Sequence, residues 1–100
     1  PASLVLTYDK YLDPAAITHF GLGALAYGIV LAAWPRGIGC VINGQGIMQS
    51  DVVREHAQIP DDQNIMICIA MGYPEASFPA NDVRSTRAPN ASFVTYKGFD

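Results

Sequence analysis

Charge is what this sequence has least of. Only 15% of its 100 residues are Asp, Glu, Lys or Arg, while 50% are hydrophobic. A soluble domain usually carries about a quarter charged residues, and a chain this short has much surface to cover. Its apolar excess therefore calls for a partner, a bilayer or further polypeptide. Six Lys and Arg residues are outnumbered by nine Asp and Glu, for a net charge of −3, with no run of one sign. That balance excludes nucleic-acid binding through a basic face. Cysteine is nearly absent too. Cys40 and Cys68 form no CxxC pair, and with His19 and His56 they give no zinc-ligand spacing. Each sits in an apolar stretch and reads as a buried structural thiol. Without a disulfide framework, the expected compartment is a reducing cytoplasm. The chain opens on Pro1 rather than Met, almost inside a strand-like run. The expectation is a fragment that has lost an upstream segment, and no secretory signal is visible.

Familiar catalytic motifs are missing as well. No G-x-S-x-G turn exists, and neither histidine has a nucleophile nearby in sequence. The adjacent carboxylates Asp61 and Asp62 lie in a turn, where solvation and capping account for them. Asp51 and Glu55 share one face of a short helix and read as surface groups. No Gly-Lys-Ser/Thr occurs, and Gly37 and Gly39 lack the third glycine of a dinucleotide fingerprint.

What is present is an ordered series of apolar segments. Ser3 to Tyr8 is rich in Leu and Val, as in a strand buried on both faces. Asp13-Pro14 predicts a helix start, with the carboxylate as cap and Pro at the first helical position. That helix is expected from Pro14 to about Ala33, stopping at Trp34-Pro35 because proline disfavours helical geometry before it. Pro14 to Pro35 carries no formal charge and is long enough to span a bilayer. His19, Gly21, Gly23 and Gly28 inside it suit a central helix packed on several sides, or across a subunit interface. Gly37 to Gly46 predicts a strand opening into a tight loop. Ser50 to His56 predicts a short helix capped by Ser50, and Ile59 to Gln63 a turn. Asn64 to Met71 predicts a second apolar strand, Tyr73 to Asn90 an extended arm, and Ser92 to Tyr96 a half-buried strand. No internal repeat or heptad pattern is evident. The order of elements indicates a layered α/β or α+β fold in one domain.

Two features suggest ligand chemistry. A glycine loop lets backbone amides lie against a planar ligand, although a plain structural turn explains the same residues. Arg84 and Arg87, three apart in the arm, could converge on a phosphate, since guanidinium groups match its oxygens bidentately. Ordinary surface arginines are the competing explanation.

Together these pieces resemble the FMN-dependent nitroreductase family, in its nitrobenzene and nitrobenzoate reductase-like branch. The resemblance runs through Leu4-Val-Leu-Thr7 with Asp9-Lys10, Leu31-Ala-Ala33, Gly37-Ile-Gly-Cys40 and Asn43-Gly44. It continues through Asp51-Val-Val-Arg-Glu55, Ile59-Pro-Asp-Asp62, Ala70-Met-Gly-Tyr-Pro74 and Asn81-Asp-Val-Arg-Ser-Thr-Arg-Ala-Pro89. It implies an α+β nitroreductase-like sandwich, of which residues 1–100 are the C-terminal half and residues 75–100 an extended C-terminal arm. It also implies an FMN-binding homodimer, with the uncharged helix in the dimer core and the missing N-terminal half as a further partner. Asn43 and Gly44 would present main-chain groups to the flavin edge, and Arg84 and Arg87 would hold its phosphate. NADH or NADPH would be the electron donor in a two-step hydride exchange, with a nitroaromatic or related small molecule as acceptor. No residue of the chain is expected to act as a catalytic acid, base or nucleophile. The family's N-terminal Arg-rich phosphate motif has no counterpart here, and Tyr27 stands where relatives often carry Gln. The readings left beside this one are a non-catalytic interaction fragment and a small membrane protein.

Overall fold

A computed structural model describes residues 1–99. The apolar runs form strands β1 (Ala2–Asp9), β2 (Gly39–Asn43) and β3 (Gln63–Gly72). The uncharged segment forms helix α1 (Ala16–Ala33), and a short helix α2 (Ser50–Ala57) precedes β3. β3 lies in the middle of the sheet, in the order β1-β3-β2, and pairs antiparallel with both neighbours. β1 and β2 therefore run parallel with β3 between them, and α1 makes the crossover, a split β-α-β unit.

The alternating Ile65, Ile67 and Ile69 explain why β3 takes the centre, since branched side chains suit a pleated, covered surface. Ile69 is 0% exposed, and its cross-strand partners are Leu4 on β1 and Ile42 on β2. Burying one such side chain stabilises the fold by about 1.5–3 kcal/mol. The two sheet faces carry different cover. Ile42 and Ile67 line a cleft of about 170 Å³ with Leu22, Gly23 and Ala26 of α1. On the opposite face, Val5 and Cys68 line a second cleft with Val52, Val53 and Ala57 of α2. Gly21, Gly23 and Gly28 each weaken α1 by roughly 0.5–1 kcal/mol relative to Ala. Tertiary packing, rather than propensity, must carry that helix.

Several expectations are corrected. α1 begins at Ala16 behind Ala15, which offers no side-chain cap. Asp13 does not cap it, because its carboxylate accepts the Tyr8 hydroxyl and lies 3.4 Å from Asn64 Nδ2. Pro35 does not stop the chain's helical path at Trp34, which adopts φ −53, ψ −50 and starts a 3₁₀ turn, Trp34–Arg36. Gly37, at φ 71, ends it, a conformation that favours glycine. Ser50 is the first residue of α2 rather than its cap, which falls on Gln49. Ser92 to Tyr96 forms no strand: a 3₁₀ turn, Asn90–Ser92, leads to Phe93 at φ −144, ψ −5. The arm is interrupted by another turn, Pro79–Asp82, and Asp100 lies outside the described residues. β1 is not buried on both faces within this chain, where its residues range from half-buried to exposed.

The buried hydrophobic residues are few: Ala26, Ala33, Cys68 and Ile69. The radius of gyration is 17.4 Å, against about 13 Å for a compact chain of this length. The accessible surface is 8099 Å², where a compact monomer of this mass would expose about 5,500 Å². The arm and an uncovered helix face account for the difference in kind. Ile17, Phe20, Tyr27 and Leu31 of α1, with Trp34 at the start of the turn that follows, are 56–75% exposed. With Ala24 they follow a three-four spacing along one side of the helix, a short seam that the sequence analysis missed.

Candidate functional site

Two segments carry the candidate residues, and they are built differently. β2 ends at Asn43, whose backbone pairs with Cys68 of β3. Beyond it the chain makes a 3₁₀ turn, Gln45–Ile47. The Asn43 side chain is used up inside this turn. Its Nδ2 donates to the Val41 carbonyl at 3.0 Å, and its Oδ1 accepts from the Gly46 N–H at 2.9 Å. The Gly44 carbonyl accepts the Ile47 N–H at 3.2 Å, which closes the turn from within. Above the Gly44 α-carbon nothing lies within 4 Å of where a side chain would begin. At Gly44 the loop thus presents main chain to its surroundings, with the exposed Gln45 beside it.

Cys68 packs below the loop. Its thiol is free and buried, as the sequence indicates, while Cys40 is half-buried and also free. A Cβ placed on Gly46 would stand 2.6 Å from Cys68 Sγ and 2.8 Å from Cys68 Cβ. Sequence inspection did not single out this pair, because residues 22 positions apart meet only once β2 and β3 are in register.

Arg84 and Arg87 occupy the arm, where every residue from Tyr73 to Phe93 is exposed. The Arg87 Nη1 donates to the Ser85 Oγ at 2.6 Å and to the Thr86 carbonyl at 3.0 Å, both within the arm itself. Among the described residues, no hydrogen bond links this segment to the Asn43–Ile47 loop. The start of the arm does approach the sheet. Asn81 and Tyr73 share a cleft of about 440 Å³ with Cys40, Val41 and Met71. Asn43 and Gly44 thus share one bonded turn, Arg84 and Arg87 share the exposed arm, and among the described residues no hydrogen bond joins the two segments.

A separate polar cluster ties the start of α1 to the sheet. Tyr8 donates to Asp13, Asn64 donates to the Tyr8 hydroxyl at 3.3 Å, and His19 Nε2 lies 3.6 Å from the Asp13 carboxylate. The Tyr8 and His19 rings meet edge to face at 5.4 Å. The hydrogen bond to Asp13 pushes the Tyr8 phenol above its ordinary value, and desolvation adds to the shift. Three elements converge here, so the cluster serves as a joint. Among the described residues no group of His, Cys, Asp and Glu is placed to hold a metal ion. From Ala16 to Arg36 the helical segment is long and apolar enough to cross a membrane by length and composition.

Comparison with known proteins adds the context. Residues 2–73 match the family model described as the Nitroreductase family. Over 96 residues the chain is 28% identical to the chloronitrobenzene nitroreductase of Comamonas testosteroni, covering 96% of this chain and 41% of that protein. It is likewise 28% identical, with the same coverage, to the nitrobenzene nitroreductase of Ectopseudomonas oleovorans. The chain thus spans about two-fifths of the length of these curated relatives. Its fold matches the crystal structure of a mutant of NfnB, an FMN- and NADPH-dependent nitroreductase from sphigopyxis sp. strain HMH. The TM-score is 0.78 at 20% identity, covering 97% of this chain and 44% of that one.

Proposed function

This chain belongs to the nitroreductase family, and on that premise we propose that it forms part of an FMN-dependent oxidoreductase acting on nitroaromatic or related acceptors. The single observation that carries this reading is the Asn43–Ile47 loop. The Asn43 side chain is bonded back into the turn, and the space over Gly44 is open. A planar ring can approach the main chain at Gly44, where there is no side chain to meet. The residues fit a flavin in that respect, and the two arginines of the arm supply cations suited to its phosphate.

Bound FMN would supply the redox chemistry, taking hydride from NADH or NADPH and passing electrons to the acceptor. The chain's own residues have simpler work. The Gly44 amide would donate to the ring edge where negative charge grows on reduction, a form of electrostatic stabilisation. Arg87, with Arg84 beside it, would hold the phosphate. Neither task needs a nucleophile or a general base, in keeping with the absence of such a constellation from the sequence.

The exposed seam of α1 supports a protein partner. Ile17, Phe20, Tyr27, Leu31 and Trp34 form an apolar stripe that water disfavours, and a second subunit would cover it in a homodimer. The N-terminal part of a subunit would cover the remaining sheet face and complete the site. Two free thiols are compatible with a cytoplasmic setting. The same seam favours the competing reading, an interaction module with no cofactor. A flavin absorption spectrum separates them. The oxidoreductase reading expects purified protein carrying this chain to bind FMN and to oxidise NADH or NADPH when a nitroaromatic is added. Protein that takes up no FMN from a micromolar solution would leave the interaction module as the better account.

A further inference from the structure

We propose that Gly46 and Cys68 form a steric pair that fixes the height of the Gly44 amide above the sheet, which makes both positioning residues for the cofactor. The inference rests on the flavin reading of the loop.

Glycine at position 46 is not demanded by backbone conformation. The glycines of positive φ are Gly37 and Gly98, and Gly46 is not among them. What it lacks is space. A Cβ there would lie 2.6 Å from Cys68 Sγ and 2.8 Å from Cys68 Cβ, both closer than non-bonded carbon and sulfur tolerate. Turning the thiol about χ1 moves the sulfur and leaves the second clash in place. The contact is therefore between main chain above and a strand-borne atom below, and β3 is held by pairing on both sides. Cys68 is itself only 3% exposed, and although its thiol borders the cleft against α2, its Cβ is fixed to the backbone of β3.

The consequence passes to Gly44 through the turn. Asn43 Oδ1 holds the Gly46 N–H, Asn43 Nδ2 holds the Val41 carbonyl, and the Gly44 carbonyl holds the Ile47 N–H. Gly44 sits inside this set of bonds, and Cys68 lies against the turn at Gly46. Adding a methyl at 46 lifts the turn, and the Gly44 peptide moves with it. By contrast, a methyl at 44 meets nothing within 4 Å inside the chain. Position 46 is thus constrained from below, and position 44 is free on the side where a ligand would lie.

The test is a double-substitution cycle in the protein carrying this chain, read by FMN affinity and by the midpoint potential of bound FMN. Gly46→Ala is expected to weaken FMN binding about tenfold and to lower the potential by about 30 mV, which corresponds to a tenfold preferential loss for the reduced form of a two-electron couple. Cys68→Gly added to Gly46→Ala removes both clashing atoms and should return affinity to within about threefold and restore most of the potential. Cys68→Ala in the same background keeps the Cβ contact, so its rescue should be partial. A merely structural role would change the unfolding midpoint and leave the potential where it was. That result, or equal failure of all three variants to bind FMN, would overturn the pairing. If Gly46→Ala does not fold, the Gly46→Ala, Cys68→Gly variant must still fold and bind, and its failure would count against the proposal. Absence of FMN binding by the parent protein would overturn the flavin reading itself, a result distinct from any of these.

Discussion

The Asn43–Ile47 loop and the Arg84–Arg87 arm hold the residues assigned to one ligand, yet they differ in almost every physical respect. The loop grows from the end of a paired strand, is bonded across itself by Asn43, and rests on the buried Cys68. The arm touches the sheet near Asn81, then continues with the Arg87 guanidinium bonded within the arm. The lesson is that half of the candidate site is organised by this chain before any ligand arrives. The other half awaits contacts supplied from outside it. The arm's hydrogen bonds are local and exposed, the kind of segment expected to open at low free-energy cost.

The comparison breaks first at the central strand. Ile69→Ala should destabilise the fold by about 2–5 kcal/mol, the usual range for opening a cavity in a core. Phe93→Ala, in the exposed tail, should stay within about 0.5 kcal/mol. Urea unfolding of the two variants measures both, and similar losses would mean that the arm is packed after all. Next comes ligand retention. Arg87→Ala removes charged hydrogen bonds worth about 1.5–3 kcal/mol, so FMN should bind roughly 10–100-fold more weakly. Equilibrium titration of flavin fluorescence tests this, with an unchanged unfolding midpoint as the accompanying expectation.

Asn43→Ala should act in the opposite way, on the loop before the ligand. It removes two hydrogen bonds worth about 1 kcal/mol each at most, and the urea midpoint should fall even without FMN. Asn43→Asp keeps the acceptor for the Gly46 amide and loses the donor to Val41, so an intermediate value is expected. The smallest effects are protonic. The Ser77 hydroxyl, then the Ser77 amide, donate to Glu75 and hold its carboxyl below the ordinary 4.5. That contribution is present above the unfolded value and is lost as pH falls through the lowered one. For Tyr8 the sign reverses: its hydrogen bond to Asp13 raises the phenol. The stabilisation is present below the unfolded value and is lost as pH rises through the raised one. Carbon-detected NMR titration of the two side chains reads both directions.

Much of the fold was legible because apolar runs have few alternatives. Ser3 to Tyr8 and Asn64 to Met71 are strands within a residue or two of their expected bounds. The long uncharged helix is present, and the α+β class follows from its place between strands. The errors share a cause, which is local signals overruled by tertiary partners. Asp13 has the right chemistry for a cap, but Tyr8 and Asn64 claim its carboxylate. Trp34 precedes proline yet stays helical, since only Pro35 and Arg36 remain before Gly37 releases the chain. Ser92 to Tyr96 alternates like a strand, but strand formation needs a paired edge, and among the described residues the tail pairs with neither outer strand of the sheet. At the site, Asn43 and Gly44 could be read as a loop, while the closeness of Gly46 to Cys68 depends on strand register. No local pattern encodes that.

If the loop is formed in advance and the arm is not, the two should differ in amide protection. Amide hydrogen exchange of the protein carrying this chain, with and without FMN, tests it most directly. The Gly46 amide should exchange slowly in both conditions, while amides from Val83 to Arg87 should exchange fast alone and slow when FMN is added. An arm already protected without FMN, or one unaffected by it, would contradict the account.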